Sequence, residues 1–279
     1  MMANLSVCVP VRNSGRALAT TLRSILDQDI DFEVIVLDNA STDDTRAVAE
    51  SFQDSRIRVV RNELVLPIGE NWNKAVSLSS RRLVKVISTD DLLLPCALDQ
   101  QVEIMGDNGI AVCSARYRVI DEQGVVERGD LGLPSLLGPR DARTLLRVIV
   151  RRGPSELGPV AAAIFRRADF DRVGGFRGDL LLPMDVDLLA RLSAFGQFFG
   201  LPQVLFAWRS ASFARSIDTS GVGTMAEMVR FHHRLGAEYP QLLGRGTILG
   251  GDLRLARVAA GRVRGRAVSA AQRLSATAR

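Results

Sequence analysis

The most informative segment of this 279-residue chain is FEVIVLDNASTDDT, residues 32–45. Its first six residues are almost continuously apolar and rich in β-branched side chains, which is typical of a strand buried on both faces. The apolar run stops at Asp38, and the polar residues that follow indicate the start of a helix reaching to about Phe52. A buried strand that leads directly into a helix predicts one unit of a parallel sheet with crossover helices.

The same alternation of strand and helix extends through the first 115 residues. Apolar runs predict further strands at residues 5–10, 57–60, 83–87 and 110–115, and helical spacing predicts helices at residues 16–27, 70–78 and 95–105. Strands joined by helices of this length cross over with one hand and lie parallel. We therefore expect an α/β fold with a doubly wound, mostly parallel central sheet and helices on both faces.

The second half of the chain has a different pattern. We expect a hairpin over residues 117–126, a helix over 140–151, a strand over 160–165, a helix over 184–195 and two short strands, interrupted by Pro202, over 198–208. From Val222 onward the pattern is helical, with breaks near Pro240 and Gly250. The sequence therefore divides into segments 1–115, 116–215 and 216–279, the last being a helical, basic extension.

Composition limits the classes of protein to which the chain can belong. Apolar residues make up 47% and charged residues 24% of the sequence, which is ordinary for a globular protein and excludes a disordered chain. No apolar run approaches the ~18–20 residues that span a bilayer, and the N-terminus has no secretory signal pattern. Cys8, Cys96 and Cys113 lack disulfide or zinc-site spacing, so we expect reduced thiols and a cytoplasmic location.

The net charge of +5 is concentrated at the C-terminus. Residues 251–279 contain seven arginines and one acid, Asp252, so the rest of the chain is close to neutral. A nucleic-acid-binding protein more often spreads positive charge over its folded surface, so we expect no nucleic-acid partner. Apolar residues such as Leu253 and Val258 alternate with the arginines, which fits peripheral contact with the inner face of an anionic membrane. A solvated or self-docking helix is the alternative.

Polar residues follow three of the predicted parallel strands, where sheets of this type bind ligands. Asn13 follows the first strand, Asp38 the second, and the pair Asp90 and Asp91 the fourth. Two adjacent carboxylates repel each other, and a divalent cation relieves that repulsion; a cap for the turn before Pro95 is the alternative. Asp38 suits a polar group of a ligand, such as a base imide or a ribose hydroxyl, or else caps its own loop.

Five segments, in order, resemble the signature of family 2 glycosyltransferases with a GT-A fold. They are LSVCVPVRN, FEVIVLDNASTDDT, GENWNKAV, VKVISTDDLLLP and VGGFRGDLLLPMDVDLLARLSAFG, which together run from about residue 5 to residue 210. The resemblance implies a GT-A domain over residues 1–215, with a nucleotide-binding half, 1–115, and an acceptor-side half, 116–215. It implies an inverting enzyme that transfers a sugar from a nucleotide-diphosphate donor, with UDP or dTDP favoured, to a hydroxyl of a glycan, glycolipid or small metabolite.

The resemblance also implies roles for individual residues. Those of the nucleotide-sugar site are Pro10, Val11, Asn13, Asp38, Asn39, Ser41, Asn73, Lys85, Thr89 and Asp90. Asp38 would hold the base and Lys85 would brace the acid motif, while Asp91, together with Asp90, would ligate Mg²⁺ or Mn²⁺ bound to the diphosphate. Ser88 occupies the first acid position of that motif and no His follows Arg209, so metal dependence is left open.

Asp185 matches the acid that serves as catalytic base in inverting members of the family. A carboxylate that accepts the proton of the attacking hydroxyl typically contributes ~10²–10⁴ to the rate. The alternative for Asp185 is an acid favoured by the helix dipole, whereas Asp187 is expected to pair with Arg191 one turn later. His232 and His233 lie about 100° apart on a helix and are expected to be surface or packing residues.

Other functions compete with this one. A sugar nucleotidyltransferase has a similar sheet but needs a glycine-rich phosphate loop, which residues 10–15 do not supply. A non-catalytic protein that binds nucleotide sugars or polyanions would keep the cleft without the chemistry. The sequence specifies neither the acceptor, which on this account is a sugar, a lipid-linked molecule or a small molecule, nor self-association into a homo-oligomer.

Overall fold

The computed structural model describes residues 4–89, 91–210 and 222–277, and for Val222, Thr224 and residues 262–277 it describes the backbone alone. Asp90, which the sequence predicts for the donor and the metal, lies outside the described residues. The domain boundary expected between residues 215 and 216 also lies outside them.

The first half of the chain folds into parallel strands joined by helices. Strands β1 (Leu5–Val11), β2 (Phe32–Asp38), β3 (Ile57–Arg61) and β4 (Leu83–Val86) lie in the order β3–β2–β1–β4. They are connected by helices α1 (Gly15–Leu26), α2 (Thr45–Glu50) and α3 (Ile68–Ser77). Every residue of β1 is buried, as expected for a strand that is covered on both faces of the sheet.

The second half extends this sheet. β9 (Ala163–Arg166) lies antiparallel between β4 and β6 (Ile110–Ile120), and β10 (Gln197–Arg209) runs parallel to β6. Because β9 is antiparallel to both neighbours, β6 and β10 point the same way as β1–β4, and the predicted mostly parallel sheet is confirmed. The short strands β5 (Asp91–Leu93), β7 (Val126–Leu131) and β8 (Gly138–Arg140) pair antiparallel with β10 or β6. β6 runs without interruption across residues 115 and 116.

Helices cover both faces of the sheet, as the sequence predicts. On one face lie α1 and α4 (Ala97–Ile104), and on the other lie α3, α5 (Ala142–Arg152), α6 (Arg167–Arg172), α7 (Met184–Leu192) and α8 (Val222–Glu238). On α1, Leu18, Leu22 and Ile25 recur every three or four residues, and all are fully buried against the sheet. Burial of a side chain of this size contributes ~1.5–3 kcal/mol, so this apolar face is enough to fix the helix on the sheet.

One long strand replaces the two short strands predicted over residues 198–208. β10 continues through Pro202, and its register against β6 shifts between Leu201 and Val204. Proline lacks the N–H that a regular ladder needs, and a bulge accommodates it without ending the strand. The prediction of two strands is therefore wrong, because Pro202 disturbs the ladder locally and does not end the strand.

The C-terminal helix α9 (Arg245–Thr277) contacts both α5 and α8. α9 continues through Gly250, where the sequence predicts a break. A β carbon at Gly251 would lie 2.6 Å from Cγ1 of Val150, so here glycine permits a close helix contact and does not end the helix. Of the helices in the described residues, none combines the length and apolarity needed to cross a membrane.

Asp252 of α9 joins the two adjacent histidines of α8. Its carboxylate oxygens lie 3.0 Å from Nδ1 of His232 and 2.9 Å from Nε2 of His233. His232 is fully buried and His233 is exposed. Burial lowers the pKa of His232, so its neutral form is favoured in this contact. His232 and His233 therefore join α8 to α9 through Asp252, which is a packing role and one of the two roles expected for them.

Candidate active site

The carboxyl ends of β1, β2 and β3 bring a buried acid and a basic residue together. Val11, Asp38 and Arg61 lie side by side in the register of the sheet. Asp38 is fully buried, its carboxylate pairs with the Arg61 guanidinium, and its Oδ1 accepts a hydrogen bond of 3.0 Å from the backbone N–H of Ser41. Arg61 also donates to the carbonyl of Ser41 at 2.9 Å and remains 38% exposed, so part of its side chain is open to solvent.

Two loops form one continuous rim above this pair. The backbone N–H of Asn13 donates to Oγ of Ser41 at 2.9 Å, and Oδ1 of Asn13 accepts from the backbone N–H of Thr42 at 2.9 Å. Asn13 has a φ of +48°, which lets its side chain fold back onto the second loop. Pro10 and Val11 are buried beneath the rim. The structure therefore gathers the predicted residues of the first two strand ends.

Asn39 belongs to the wall of the cleft. Its Nδ2 donates to the carbonyl of Leu66 at 2.9 Å, and its Oδ1 accepts from the N–H of Leu66 at 2.9 Å and from Nδ2 of Asn62 at 2.8 Å. Both ends of the amide are thus used to hold the loop that follows β3. Asn62 was not anticipated from the sequence, and within the described part of the chain its Oδ1 is buried without a hydrogen-bond partner.

Asn73 lies away from these strand ends and fixes a turn of the second half. Its Nδ2 donates to the carbonyl of Phe176 at 2.9 Å, and its Oδ1 accepts from the N–H of Phe176 at 2.7 Å. The turn passes through Gly174 and Gly175, whose φ angles of +74° and +72° favour glycine. The Trp72 ring packs edge-on against Phe176 at 5.2 Å between centroids. Trp72 and Asn73 therefore connect the first 115 residues of the chain with the segment that follows them.

The acid motif after β4 is fastened to α1. Oγ1 of buried Thr21 lies 2.7 Å from the carbonyl oxygen of Thr89 and 2.9 Å from that of Asp91. Asp91 is buried, and its Oδ2 accepts a 3.1 Å hydrogen bond from the N–H of Ser88. Asp91 also pairs with Trp208 in the register of β5 and β10. Thr89 and Asp91, which flank Asp90 in the sequence, are therefore both held by α1.

Within the described residues of this loop, Asp91 could hold a divalent cation. Asp91 supplies a hard carboxylate ligand of the kind that Mg²⁺ and Mn²⁺ prefer. No group of three or more His, Cys, Asp or Glu suited to a metal occurs within residues 4–89, 91–210 and 222–261. A cation at Asp91 would therefore take most of its other ligands from a diphosphate and water, as Mg²⁺ commonly does.

Asp185 lies in the first turn of α7 and is half-buried. Its Oδ1 accepts from the N–H of Val186 at 2.9 Å, and its Oδ2 accepts from the N–H of Val160 at 3.3 Å. Burial raises the pKa of Asp185, and the two backbone donors oppose that rise. A carboxylate that is oriented by the backbone, with a pKa moved towards neutrality, suits a general base.

Asp187 has a structural role, as expected. It is fully buried, and its Oδ2 lies 2.7 Å from Nη2 of Arg191 one turn along α7. Arg191 in turn donates to the carbonyls of Val173 at 2.8 Å and Gly175 at 2.7 Å. The pair therefore ties α7 to the turn that Asn73 holds.

Helix α8 fixes the loop that precedes Asp185. The carboxylate of Glu227 accepts from the N–H groups of Leu181 at 3.2 Å and Leu182 at 3.3 Å. Further along α8, Arg234 pairs with Asp179 in the same loop. No sequence pattern indicates these contacts, because α8 lies beyond the segments that carry the family resemblance.

The side chain of Lys85 lies inside the protein, between strand β4 and helix α4. It is almost fully buried, and its Nζ donates to Oε1 of Gln101 at 2.8 Å and lies 3.4 Å from the carbonyl of Ala163. Burial lowers the pKa of Lys85 to about 7. These contacts make Lys85 part of the support of the site and keep its ammonium away from the cleft surface.

Comparison with known sequences identifies relatives of the chain. The sequence model named Glycosyl transferase family 2 matches residues 6–174. Uncharacterized protein MT1568 of Mycobacterium tuberculosis is 33% identical over 195 residues, 67% of this chain and 61% of its own. The Escherichia coli protein named UDP-Glc:alpha-D-GlcNAc-diphosphoundecaprenol beta-1,3-glucosyltransferase WfgD is 28% identical over 123 residues, 44% of this chain and 49% of its own. The chain thus spans about half to three fifths of the length of these curated relatives.

Solved structures share the fold. TarS 1-349 of S. aureus superposes with a TM-score of 0.61 and 18% identity, covering 95% of this chain and 92% of that chain. The mannosyltransferase PcManGT from Pyrobaculum calidifontis, in complex with GDP-Man and Mn²⁺, gives a TM-score of 0.58 and 22% identity over 97% and 80% of the two chains. The fold is therefore of the expected GT-A type, and since the sequence match spans more than half of the residues, this chain belongs to glycosyltransferase family 2.

Proposed function

We propose that this chain is an inverting glycosyltransferase that transfers a sugar from a nucleoside-diphosphate donor to an acceptor hydroxyl. The proposal rests on the geometry of Asp185. Its carboxylate is half-buried and accepts hydrogen bonds from two backbone N–H groups, in a chain with the fold of glycosyltransferase family 2. A sugar hydroxyl is a weak nucleophile, and Asp185 would accept its proton as the new bond forms. Attack from the side opposite the leaving diphosphate inverts the anomeric carbon in a single displacement.

The strand-end pair favours a uracil or thymine nucleotide. Asp38 is fully buried beside Arg61, so a base would reach its carboxylate after the Arg61 side chain moves. The carboxylate can accept about four hydrogen bonds, and one of them would come from the imide N–H of such a base. Arg61, which is 38% exposed, would donate to a carbonyl beside that imide. The name of WfgD includes UDP-Glc, and one TarS structure is a complex with UDP-GlcNAc, which supports a UDP-sugar or a dTDP-sugar as donor.

The diphosphate would lie over the loop that Thr21 fastens. Asp91, with the sequence-predicted Asp90, would hold a Mg²⁺ or Mn²⁺ ion there. Such an ion, when bound, neutralises the negative charge that develops on a departing diphosphate. Asn13 and Ser41 close the cleft above the base, and Asn73 maintains the adjacent acceptor-side turn.

A nucleotide screen tests the proposal. We expect UDP or dTDP, at about 100 times its Kd, to raise the melting temperature by about 5–10 °C. The experiment compares UDP, dTDP, GDP and CMP, each with Mn²⁺ and with EDTA. Stabilisation by CMP alone, or by none of the four, would contradict the proposed donor.

Replacing Asp38 by Asn should weaken UDP binding about 10- to 100-fold, measured by calorimetry with EDTA present. The substitution removes the charge that pairs with Arg61 and the best acceptor for an imide, an effect of ~1–3 kcal/mol. Asp54→Asn is the matched control, because Asp54 pairs with Arg56 at the opposite end of β3. Equal affinity in Asp38→Asn and Asp54→Asn would place the base elsewhere.

We also propose that the chain works in the cytoplasm at the inner face of a membrane, on an acceptor that is a sugar, a lipid-linked molecule or a small molecule. Leu249 and Leu253 are 61% and 58% exposed on one side of α9. Exposed Arg151 of α5 lies beside Gly250 of α9, since a β carbon there would be 3.8 Å from its Nε, and exposed Arg147 is one turn before it. Arginines beside exposed leucines suit an anionic lipid surface.

Vesicle co-sedimentation tests this placement. Binding should require phosphatidylglycerol, because each arginine near an anionic surface contributes ~1 kcal/mol. The double variant Arg147→Glu/Arg151→Glu should lose most binding, whereas Arg16→Glu/Arg23→Glu, the same charge change on exposed positions of α1, should keep it. Equal loss in the two double variants would indicate dependence on net charge alone and would refute this membrane face.

A further inference from the structure

A buried polar network connects β4 with the turn beside Asp185. Lys85 of β4 donates to Oε1 of Gln101 at 2.8 Å. Nε2 of Gln101 donates to the carbonyl of Ala162 at 2.7 Å and lies 3.3 Å from that of Cys113. Lys85 and Gln101 are each only 1% exposed. Both ends of the glutamine amide are therefore used, and the network joins four elements of the core: β4, α4, β6 and the turn that ends at Ala162.

The network ends one short turn away from the proposed base. Residues Val160–Ala162 form a single 3-10 turn before β9. Gln101 holds the carbonyl at the end of this turn, and the N–H at its start, that of Val160, donates to Oδ2 of Asp185 at 3.3 Å. A displacement of the turn would therefore move the donor that orients the carboxylate.

The other end of the network approaches the acid motif. Lys85 lies three residues before Ser88 on the strand that leads into that motif. The Asp91 carboxylate is close enough to oppose the effect of burial on the pKa of Lys85. The network thus links the strand that leads into the acid motif with the turn whose Val160 N–H donates to Asp185.

We propose that Lys85 and Gln101 are positioning residues that hold the Val160–Ala162 turn, and through Val160 the carboxylate of Asp185, in register with the donor motif. The inference rests on the proposed function, since it presupposes that Asp185 is the base. A buried ammonium is costly, and apolar residues of similar size are often neutral or stabilising in its place. A polar network with every bond made is better suited to fixing one geometry, because each bond is directional.

Gln101→Met tests the inference with little change in volume. We expect kcat to fall about tenfold or more, because small misplacement of a reacting group is costly, while the donor KM changes less than about twofold. The acid limb of the kcat–pH profile should also move to higher pH, because loss of the Val160 N–H bond removes a contact that lowers the pKa of Asp185. Lys85→Met should produce the same two changes.

The matched control is Gln28→Met. Gln28 is also buried, and it bonds the carbonyl of Leu94 and the N–H groups of Ala97 and Leu98 without touching the Val160–Ala162 turn. If Gln101→Met melts below the assay temperature, Gln101→Glu provides a second test: it keeps an acceptor for Lys85 and loses the donor to Ala162. An unshifted acid limb, or a loss no larger than in Gln28→Met, would overturn the inference. Activity that survives in Asp185→Asn would instead overturn the proposed function.

Discussion

Sugar transfer is expected to fall about 10²–10⁴-fold when Asp185 is replaced by Asn, with donor affinity changed less than about twofold. Asparagine keeps the shape of the side chain and can still accept from Val160, but it cannot take up the proton of the acceptor hydroxyl. The loss should therefore be in kcat, measured with saturating donor, and UDP binding measured by calorimetry should remain.

The dependence of kcat on pH is a second measurement that tests Asp185 as the base. Burial raises the pKa of Asp185, so the carboxylate becomes protonated, and transfer declines, at a higher pH than an exposed aspartate would give. Asp179→Asn is the control, because Asp179 lies in the preceding loop and makes a surface pair with Arg234. Normal kcat in Asp185→Asn, or an unchanged acid limb for its residual activity, would remove Asp185 as the base.

The second large effect is expected at Asp91. Asp91→Asn should lower transfer about 100-fold or more in the presence of Mn²⁺, because a neutral amide is a poor ligand for a hard cation that neutralises the leaving diphosphate. The variant should also lose the part of the UDP affinity that EDTA removes from the parent protein. Calorimetry of UDP with Mn²⁺ and with EDTA measures this difference directly.

A neighbouring acid controls for charge. Asp99 is exposed in the first turn of α4, and Asp99→Asn removes the same charge without touching the acid motif. It should leave the Mn²⁺-dependent increment of affinity intact. If the parent protein binds UDP equally well with Mn²⁺ and with EDTA, the metal assignment of Asp91 fails.

The fold was accessible from the sequence because local patterns encode it. The continuous apolar run of β2 reports burial on both faces, and the spacing of Leu18, Leu22 and Ile25 reports the buried face of α1. Asp38 and Asn13 could be placed at one edge because the carboxyl ends of parallel strands meet there. The continuous strand β10 was not predicted, because Pro202 is as compatible with a bulge inside a strand as with a break between two strands.

The contacts that complete the site were not accessible in the same way. Arg61 pairs with Asp38 across 23 residues, and Asn73 bonds Phe176 across 103 residues. Such partners are chosen by the packing of whole elements, which no local period reveals. Of these partners, Arg61 could have been suspected from the sequence, because it is a basic residue at the end of the strand next to Asp38. The contacts of Glu227 with Leu181 and Leu182 could not be predicted, since α8 follows a segment without family resemblance.

Lys85 has a hydrogen-bond partner that the sequence alone does not name. The resemblance assigns it to the nucleotide-sugar site because it precedes the acid motif. Both faces of β4 are buried, and the side chain of Lys85 lies on the face that α4 covers, where it donates to Gln101. The sequence signal was a charged residue inside an otherwise apolar strand, LVKV, which indicates a buried partner without naming it.

A crystal structure of this chain with UDP and Mn²⁺ bound is the most direct measurement. We expect the uracil against Asp38 and Arg61, the diphosphate and the metal at Asp91, and the Asp185 carboxylate facing the space beyond the β-phosphate where the anomeric carbon of a donor would lie. Nucleotide bound at another edge of the sheet, or a carboxylate of Asp185 separated from that space by protein, would contradict the account.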